Sequence, residues 1–288
     1  MMHIEEICER AQSLPASPAI LPSLLKLLAQ EDASLNDLGE IVTRDSSLSA
    51  SVLRMANSAF YGGRRSFDEL SQALLQLGFA KTHELAVTVS GGRWNTVELE
   101  GYSWEPGDFF RHSLTVAVIA KKVSEKSSPE LAEVAYAAGL MHEAGKLALA
   151  YAYPEGIEKV RERQQQKKES WLEAEQAVLG FSHTDISAKL LTDWGFPDSL
   201  LAVACFYPFP DQAAEANRRL VQIVHLAKHL TIQMGIGNGE DAFWLPLNEE
   251  VPPLLSLSEE DLEELISDSL EAARKLLREN MLSGRIKL

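Results

Sequence analysis

Gly139-Leu140-Met141-His142-Glu143-Ala144-Gly145-Lys146 is the stretch around which the rest of this 288-residue chain is organised. It follows an Ala-rich apolar run, residues 134–138, whose small side chains are typical of a tightly packed helix. Into this apolar setting the chain places an imidazole, a carboxylate and an ammonium group, and buried ionisable groups destabilise a fold unless they are paired or ligated. A helical His followed by an acidic residue can present two donors to one metal ion. Because position 146 is Lys, the stretch is not the protease motif H-E-x-x-H, and further donors must come from distant His residues.

The charge and composition of the chain exclude two classes of protein. Lys and Arg number 27 against 42 Asp and Glu, which gives a net charge of -15 at pH 7. Such a field repels phosphate backbones, so we expect no nucleic-acid partner. No apolar stretch reaches the roughly 18 residues of a membrane helix, and residues 1–10 do not resemble a secretory signal. The two cysteines, Cys8 and Cys205, suit a reducing compartment, and we expect a cytoplasmic protein.

Helical periodicity dominates the sequence and the alternation typical of strands is almost absent, which predicts an all-α fold. Asp108 is predicted to cap a helix over residues 109–123, and residues 211–234 are predicted to form one long amphipathic helix. Glycines mark predicted helix ends at Gly78, Gly180 and Gly195. Pairs at capping-box spacing mark predicted helix starts: Ser34 with Asp37, Ser66 with Glu69, Ser170 with Glu173, and Ser258 with Asp261.

Changes of composition divide the chain into two helical parts. Residues 1–92 are predicted to be an array of short helices joined by short turns. Residues 93–107 contain two glycines, a proline and two tryptophans without helical period, which predicts a connecting loop. Residues 108–288 form the second helical part, which contains the stretch quoted above.

The order of several motifs resembles that of the HDOD family. In the first part these motifs are Leu14-Pro15-Ala16-Ser17-Pro18, Asp45-Ser46-Ser47-Leu48-Ser49-Ala50, Asn57-Ser58-Ala59-Phe60-Tyr61-Gly62 and Gln72-Ala73-Leu74-Leu75-Gln76-Leu77-Gly78. In the second part they are Arg111-His112-Ser113, the quoted stretch, Gly180-Phe181-Ser182-His183 and Trp194-Gly195-Phe196-Pro197. The resemblance implies an HDOD subdomain in residues 1–92, followed by a helical bundle related to HD phosphohydrolases and HD-GYP phosphodiesterases in residues 108–288.

In those enzymes an upstream His, a His-Asp pair, later His residues and a downstream Asp hold one or two metal ions, which polarise a phosphoryl oxygen and activate water. The resemblance implies that the corresponding metal ligands here are His112, His142, Glu143 and His183. Lys146 matches the lysine that follows the pair and is the one candidate catalytic residue. The metal would be Fe, Mn, Ni or Zn. Without the resemblance, each His is also readily interpreted as a hydrogen-bonded core or surface residue.

Three departures from the family pattern argue against a working metal site. The Asp of the pair is Glu143, whose extra methylene displaces the carboxylate, whereas metal-ligand distances tolerate only about 0.2 Å. The downstream Asp is replaced by Lys228, and an ammonium group repels a cation. Phe206 and Tyr207 stand where HD-GYP enzymes carry further His residues. We therefore expect Lys146 or Lys228 to form an ion pair with Glu143 and no metal cofactor to be bound.

Two further groups of residues have alternative interpretations. His225 and His229 are four apart on a predicted helix and could share a metal, or they are ordinary helix residues. Asn57, Ser58, Phe60 and Tyr61 could form a structural corner, or a contact surface between the two halves or with a signalling partner. His3 and His83 have no partner that the sequence identifies.

Two functions of different class follow. The first is a non-catalytic bacterial signal-transduction module that binds a partner protein or a small regulatory ligand. The second is a metal-dependent phosphohydrolase or phosphodiesterase that acts on a nucleotide or a cyclic dinucleotide. Lys228 in place of an acidic residue favours the first function.

Overall fold

The structure of the chain is a computed structural model. It describes residues 2–11, 20–28, 30, 32–58, 67–92, 99, 101–105, 107–237, 239, 245 and 247–282. This part of the chain consists of helices, turns and loops and contains no strand, which confirms the all-α prediction. The α-helices are α1 (Ile4–Ala11), α2 (Leu21–Leu28), α3 (Leu35–Thr43), α4 (Ser46–Ala56), α5 (Leu70–Gly91), α6 (Asp108–Ser127), α7 (Ala132–Met141), α8 (Ala144–Ala152), α9 (Pro154–Lys167), α10 (Trp171–Leu179), α11 (His183–Asp193), α12 (Asp198–Phe206), α13 (Glu215–Gln233), α14 (Val251–Leu254) and α15 (Glu259–Leu282).

The predicted capping boxes start the helices where the structure describes them. At α10 the backbone N–H of Ser170 donates to Glu173 Oε2 at 2.8 Å, and the N–H of Glu173 donates to Ser170 Oγ at 3.2 Å. The same reciprocal pairs begin α3, at Ser34 and Asp37, and α15, at Ser258 and Asp261. The start predicted by Ser66 and Glu69 was wrong: Ser66 itself lies outside the described residues, but Glu69 is the N-cap of α5, which begins at Leu70. Each box satisfies backbone donors that have no carbonyl partner inside the helix.

Several predicted boundaries were wrong, each for a local backbone reason. Gly107, with φ at 88°, is the residue before α6, and Asp108 is its first helical residue rather than its cap. The predicted long helix starts at Glu215 instead of residue 211, because Pro210–Gln212 form a separate 3-10 turn. Gly78 does end a helical segment as predicted, since its φ of 75° bends α5, but the helix resumes directly after it.

The central stretch is two helices rather than one. Helix α7 ends at Met141 and α8 begins at Ala144, so that His142 and Glu143 lie in the break, with Glu143 at φ −113° and ψ 23°. Consecutive side chains of a continuous helix point about 100° apart, since it has 3.6 residues per turn. The break allows two adjacent side chains to approach the same point.

Helix packing gathers residues from distant parts of the chain around this break. Helix α6 packs against α7 and α13, α8 packs against α11, and α12 packs against α13 and α7. Two glycines permit the close approach of these helices. A Cβ on Gly139 would lie 2.8 Å from Ala117 Cα of α6, and one on Gly145 would lie 2.0 Å from the His183 carbonyl oxygen of α11.

One buried apolar core extends from Ile7 in α1 to Leu265 in α15. Helix α1 packs against α8 and α11 of the second half of the chain. The division into residues 1–92, 93–107 and 108–288 remains a prediction. None of the described helices combines the length and the apolar composition that a membrane crossing requires.

We predict that Gly145→Ala destabilises the fold far more than Gly180→Ala. The Cβ at residue 145 would collide with the His183 carbonyl and with the Ser187 backbone nitrogen, 2.7 Å away, so two helices would have to separate. We expect a loss of about 3 kcal/mol or more in the free energy of unfolding, measured in urea. Gly180 has φ at 83° and no atom within 4 Å of its Cβ position, so its substitution should cost only the left-handed strain of about 1–2 kcal/mol. Equal losses in the two variants would contradict this account of the α8–α11 contact.

Candidate functional site

The carboxylate of Glu143 is the centre of the candidate site, and it is completely buried. Its Oε1 accepts hydrogen bonds from Lys146 Nζ, from Lys228 Nζ at 2.5 Å and from the Tyr207 hydroxyl at 3.1 Å. The sequence predicted an ion pair with one of the two lysines. The structure places both against the same oxygen.

The balance of charge keeps Glu143 ionised. Burial alone would raise the pKa of its carboxyl, but the ammonium groups of Lys146 and Lys228 outweigh burial and hold that pKa well below its usual range. Lys146 and Lys228 are themselves only 1% and 3% exposed. Their ammonium groups also lie over aromatic rings, Lys146 Nζ 5.7 Å from the Trp104 centroid and Lys228 Nζ 5.5 Å from the Tyr207 centroid. Both lysines therefore have electrostatic partners away from water.

His112 and His142 turn one nitrogen each toward the other oxygen of Glu143. The Nδ1 of His142 lies 2.7 Å from the Gly139 carbonyl oxygen, and the Nδ1 of His112 lies 3.2 Å from that of Ile236. Because a carbonyl only accepts, each Nδ1 carries the proton and each Nε2 presents a lone pair. The two Nε2 atoms lie 3.7 Å (His112) and 3.6 Å (His142) from Glu143 Oε2. Three hydrogen-bond acceptors, His112 Nε2, His142 Nε2 and Glu143 Oε2, therefore point toward the same small region.

Burial keeps both imidazoles neutral. It lowers the pKa of His112 to about 4, with the nearby Lys228 ammonium acting in the same direction. Burial likewise brings the pKa of His142 well below the ordinary value. Within the described part of the chain, neither His142 Nε2 nor Glu143 Oε2 has a hydrogen-bond partner.

The donor separations suit a single metal ion, but the neighbouring charge does not. His112, His142 and Glu143 could each offer one ligand atom, and these atoms lie within 4.8 Å of one another. Lys228 Nζ, however, lies 2.5 Å from Glu143 Oε1 and 3.5 Å from His112 Nε2. An ammonium about 4 Å from an ion repels it by about 4 kcal/mol per unit of ion charge at an effective dielectric constant of about 20. The residues as arranged therefore do not fit a bound metal.

His183 lies outside this group of three. Its Nδ1 and its backbone N–H both contact Glu175 Oε2, at 2.7 and 2.8 Å, and its Nε2 lies 2.8 Å from the Tyr207 hydroxyl. Since Tyr207 donates to Glu143, a buried chain of hydrogen bonds runs from Glu175 through His183 and Tyr207 to Glu143. His183 is connected to the centre through Tyr207 rather than by direct contact.

Sequence reasoning missed Glu175. Its Oε1 accepts from the Trp171 indole at 3.1 Å and from the Tyr102 hydroxyl at 3.3 Å, and the residue is completely buried. The available signal was its position on α10, where i, i+4, i+8 spacing places Glu175 on the face of Trp171 and Leu179. In the sequence Tyr207 stands out only as a departure from HD-GYP enzymes, and no sequence signal reveals that it bridges two of the candidate residues, Glu143 and His183.

The other candidates have structural partners. His225 Nδ1 lies 2.7 Å from the Tyr207 carbonyl oxygen, and its Nε2 accepts the Asn248 backbone N–H at 3.0 Å. Both nitrogens are therefore engaged, which leaves none for a metal shared with His229. His83 is buried, with Nδ1 3.4 Å from Glu133 Oε2, a partner that the sequence did not identify.

Asn57 and Ser58 bond nearby backbone groups. The Asn57 amide donates to the Phe67 carbonyl and accepts the Phe67 N–H, both at 2.7 Å, and Ser58 Oγ donates to the Met55 carbonyl at 2.7 Å. These contacts describe a structural corner at the end of α4. Phe60 and Tyr61 lie outside the described residues, and a partner surface at this segment remains a prediction.

We predict that Glu143→Gln lowers the free energy of unfolding by about 3–5 kcal/mol, because it leaves two buried ammonium groups without their carboxylate. The measurement is urea unfolding at pH 7, followed by far-UV circular dichroism. Lys228→Met is the matched control, since it keeps the pair of Glu143 with Lys146. We expect it to cost at least about 2 kcal/mol less than Glu143→Gln. A Glu143→Gln protein as stable as the control would show that the carboxylate does not hold the site together.

We predict that stability falls between pH 7 and pH 5 and that His112→Gln reduces this fall. His112 has a folded-state pKa of about 4 against an ordinary value of 6.5. The unfolded chain therefore takes up the proton more readily in this interval, and stability is lost as pH falls. For His112 the loss is about 2 kcal/mol. The check is the difference in unfolding free energy between the two pH values, measured with a chelator present. An unchanged pH dependence in the variant would contradict the burial of a neutral His112.

Comparison with known proteins identifies the family to which this chain belongs. The family model for the HDOD domain matches residues 14–207. An uncharacterized protein of Treponema pallidum (strain Nichols) is 24% identical over 229 residues, which are 79% of this chain and 44% of that protein. The chain thus spans less than half the length of this curated relative.

Crystal structures of bacterial proteins share the fold. A provisionally assigned signal transduction protein of Marinobacter aquaeolei VT8 is 22% identical with a TM-score of 0.75, covering 99% of this chain and 62% of that one. An HDOD domain protein of unknown function from Geobacter sulfurreducens is 20% identical with a TM-score of 0.69, covering 98% and 97%. A provisionally assigned phosphohydrolase of Shewanella amazonensis SB2B is 23% identical with a TM-score of 0.68, covering 100% of both chains. At these identities the likeness shows the fold alone. The HDOD family model, however, matches well over half of the chain, and the chain belongs to the HDOD domain family.

Proposed function

We propose that the chain is a non-catalytic signal-transduction module of the bacterial cytoplasm, which binds a partner protein or a small regulatory ligand. The observation that carries this proposal is the Glu143 carboxylate shared between Lys146 and Lys228. In related hydrolases this carboxylate position serves a metal ion. Here its charge is matched by side chains of the chain itself.

The chemistry of phosphoester hydrolysis supports the same conclusion. A metal ion in such a site polarises the phosphoryl oxygen and lowers the pKa of bound water, so that hydroxide is available at neutral pH. Lysine ammonium groups can attract a phosphate but do not generate hydroxide. His112 and His142 are neutral because burial lowers the pKa of each, and His183 is engaged at both ring nitrogens by Glu175 and Tyr207. The described site therefore has groups that bind an anion and no evident means of activating water.

The structurally similar proteins are consistent with either function. The Marinobacter protein is provisionally assigned to signal transduction, and the Shewanella protein is provisionally assigned as a phosphohydrolase. The fold alone does not choose between them, so the choice depends on the site.

A metal-dependent phosphohydrolase is the second candidate, and one observation favours it. The lone pairs of His112 Nε2, His142 Nε2 and Glu143 Oε2 converge, and within the described residues the last two have no hydrogen-bond donor. Binding of Fe, Mn, Ni or Zn at this point would require the ammonium group of Lys228 to move away. The proposal of a non-catalytic module rests on Lys228 staying where it is.

We predict that the purified protein carries well below one metal ion per chain and that Lys228→Asp carries about one. The substitution exchanges the repelling ammonium for a carboxylate ligand beside three existing donors. Elemental analysis of Fe, Mn, Ni and Zn checks this, with Lys228→Met as the control that removes the charge without adding a ligand. His142→Ala should leave the metal content of the natural protein unchanged.

Two results would reverse the ranking of the functions. One is a stoichiometric metal in the natural protein that disappears in His142→Ala. The other is metal-dependent hydrolysis of a generic phosphodiester, such as bis(p-nitrophenyl) phosphate, that is lost in the same variant.

A further inference from the structure

A small cavity lies beside the two buried lysines. It is lined by Lys146, Lys228, Tyr207, His183, Trp171 and Leu172, among others, and has a volume of about 30 Å³. A water molecule needs about 10–15 Å³ of such space, so the cavity holds a group of a few heavy atoms. Sites for whole drug-sized ligands measure about 300–1,000 Å³, so no entire nucleotide fits inside.

The cavity wall has a positive balance of charge. Lys146 and Lys228 contribute two ammonium groups, and the carboxylate of Glu143 between them neutralises one. Burial leaves His112 and His142 neutral. The other buried carboxylate in this region belongs to Glu175, which is engaged by the side chains of His183, Trp171 and Tyr102. Among the described residues that line the cavity, the permanently charged groups are the two ammonium groups, whereas the carboxylates of Glu143 and Glu175 do not line it. An anion in the cavity would therefore be closer to the ammonium groups than to either carboxylate, and it would be attracted to them.

The N-terminus of α10 adds to this field. Ser170, the residue before the helix, and Trp171 and Leu172 in its first turn all line the cavity. First-turn backbone N–H groups have no carbonyl partner inside a helix, and the helix dipole places partial positive charge there. The capping box of Ser170 and Glu173 uses two of the N–H groups at this end. The helix end and the two lysines thus act on the same small volume.

We infer that this cavity binds a phosphate group, either as the free anion or as the terminal group of a larger ligand. The inference rests on the proposed function and names the chemistry of its regulatory ligand. Lys is a common phosphate binder because it acts as a compact point charge, and two of them here face a space of suitable size. The ligand is bound without chemical change. The remainder of a larger ligand lies at the cavity mouth, where Leu172 and Leu245 are half-buried.

The first test is a thermal-shift titration of the full chain with inorganic phosphate. Sodium chloride at equal ionic strength is the reference, and EDTA is present so that no metal recruits the anion. A ligand that binds the native state raises the melting temperature in a saturable manner. We expect such a rise with phosphate and none with chloride. Identical melting curves in the two salts would overturn the inference.

A matched pair of variants locates the binding. Leu172→Glu adds a carboxylate at the cavity mouth, and Leu172→Gln adds a side chain of nearly the same shape without the charge. Both are tolerable in the first turn of a helix, where an acidic side chain is even favourable. We expect phosphate affinity to fall at least about tenfold in the Glu variant, equivalent to about 1.4 kcal/mol, and to stay within about twofold in the Gln variant. An equal phosphate response in both variants would place the binding elsewhere and overturn the inference.

A second titration identifies the source of the phosphate group. A nucleoside monophosphate replaces inorganic phosphate under the same conditions. Tighter binding of the nucleotide that is lost in Leu172→Glu supports a larger ligand, and tighter binding of inorganic phosphate supports the free anion. The outcome is independent of the metal analysis. A metal-free protein with no phosphate response contradicts the ligand class alone, whereas a stoichiometric metal contradicts the non-catalytic function.

Discussion

The packing of helices around the site depends on one buried carboxylate, because burying a charge costs free energy unless the charge is paired. Glu143 is removed from water completely, and a charge in that position is tolerated only when opposite charges and hydrogen-bond donors surround it. The partners come from α8, from α13 and from the end of α12, so helices far apart in the chain meet at one oxygen atom. Separating these groups would leave an uncompensated buried charge, so packing arrangements that pull the helices apart are disfavoured.

Under the proposed function, lysine ammonium groups occupy the place that a metal ion holds in related hydrolases. Two lysine ammonium groups supply two positive charges, the same number that a divalent ion would bring to the carboxylate. The imidazoles keep the orientation of metal ligands, with Nδ1 held by a carbonyl and Nε2 directed inward. The buried carboxylate is therefore balanced by positive charge without an ion. The helical scaffold of the HDOD family here surrounds a site whose residues, as arranged, do not fit an ion.

Much of this fold and part of this site could be predicted from sequence, and the limits have physical causes. Capping boxes and helix-ending glycines are local signals, so α3, α10 and α15 begin where Ser34, Ser170 and Ser258 predicted. An ion pair of Glu143 with Lys146 or Lys228 was predicted because the resemblance places both lysines at the site and their charge is opposite to that of Glu143. The bridge made by Tyr207, the burial of Glu175 and the break in the central stretch depend on how distant helices pack. Periodicity carries no information about such contacts. The start of α13 was predicted too early for a local reason, since Pro210–Gln212 form a separate 3-10 turn.

The break between α7 and α8 restricts the number of residues between Gly139 and Gly145 as well as their identity. Gly139 meets α6 and Gly145 meets α11, so both ends of this short segment are held by neighbouring helices. Inserting or deleting one residue between them would rotate one helix by about 100° relative to its contacts. His142 and Glu143 could then no longer face a common point. We therefore expect this segment to tolerate exchange of side chains better than insertion or deletion of a residue.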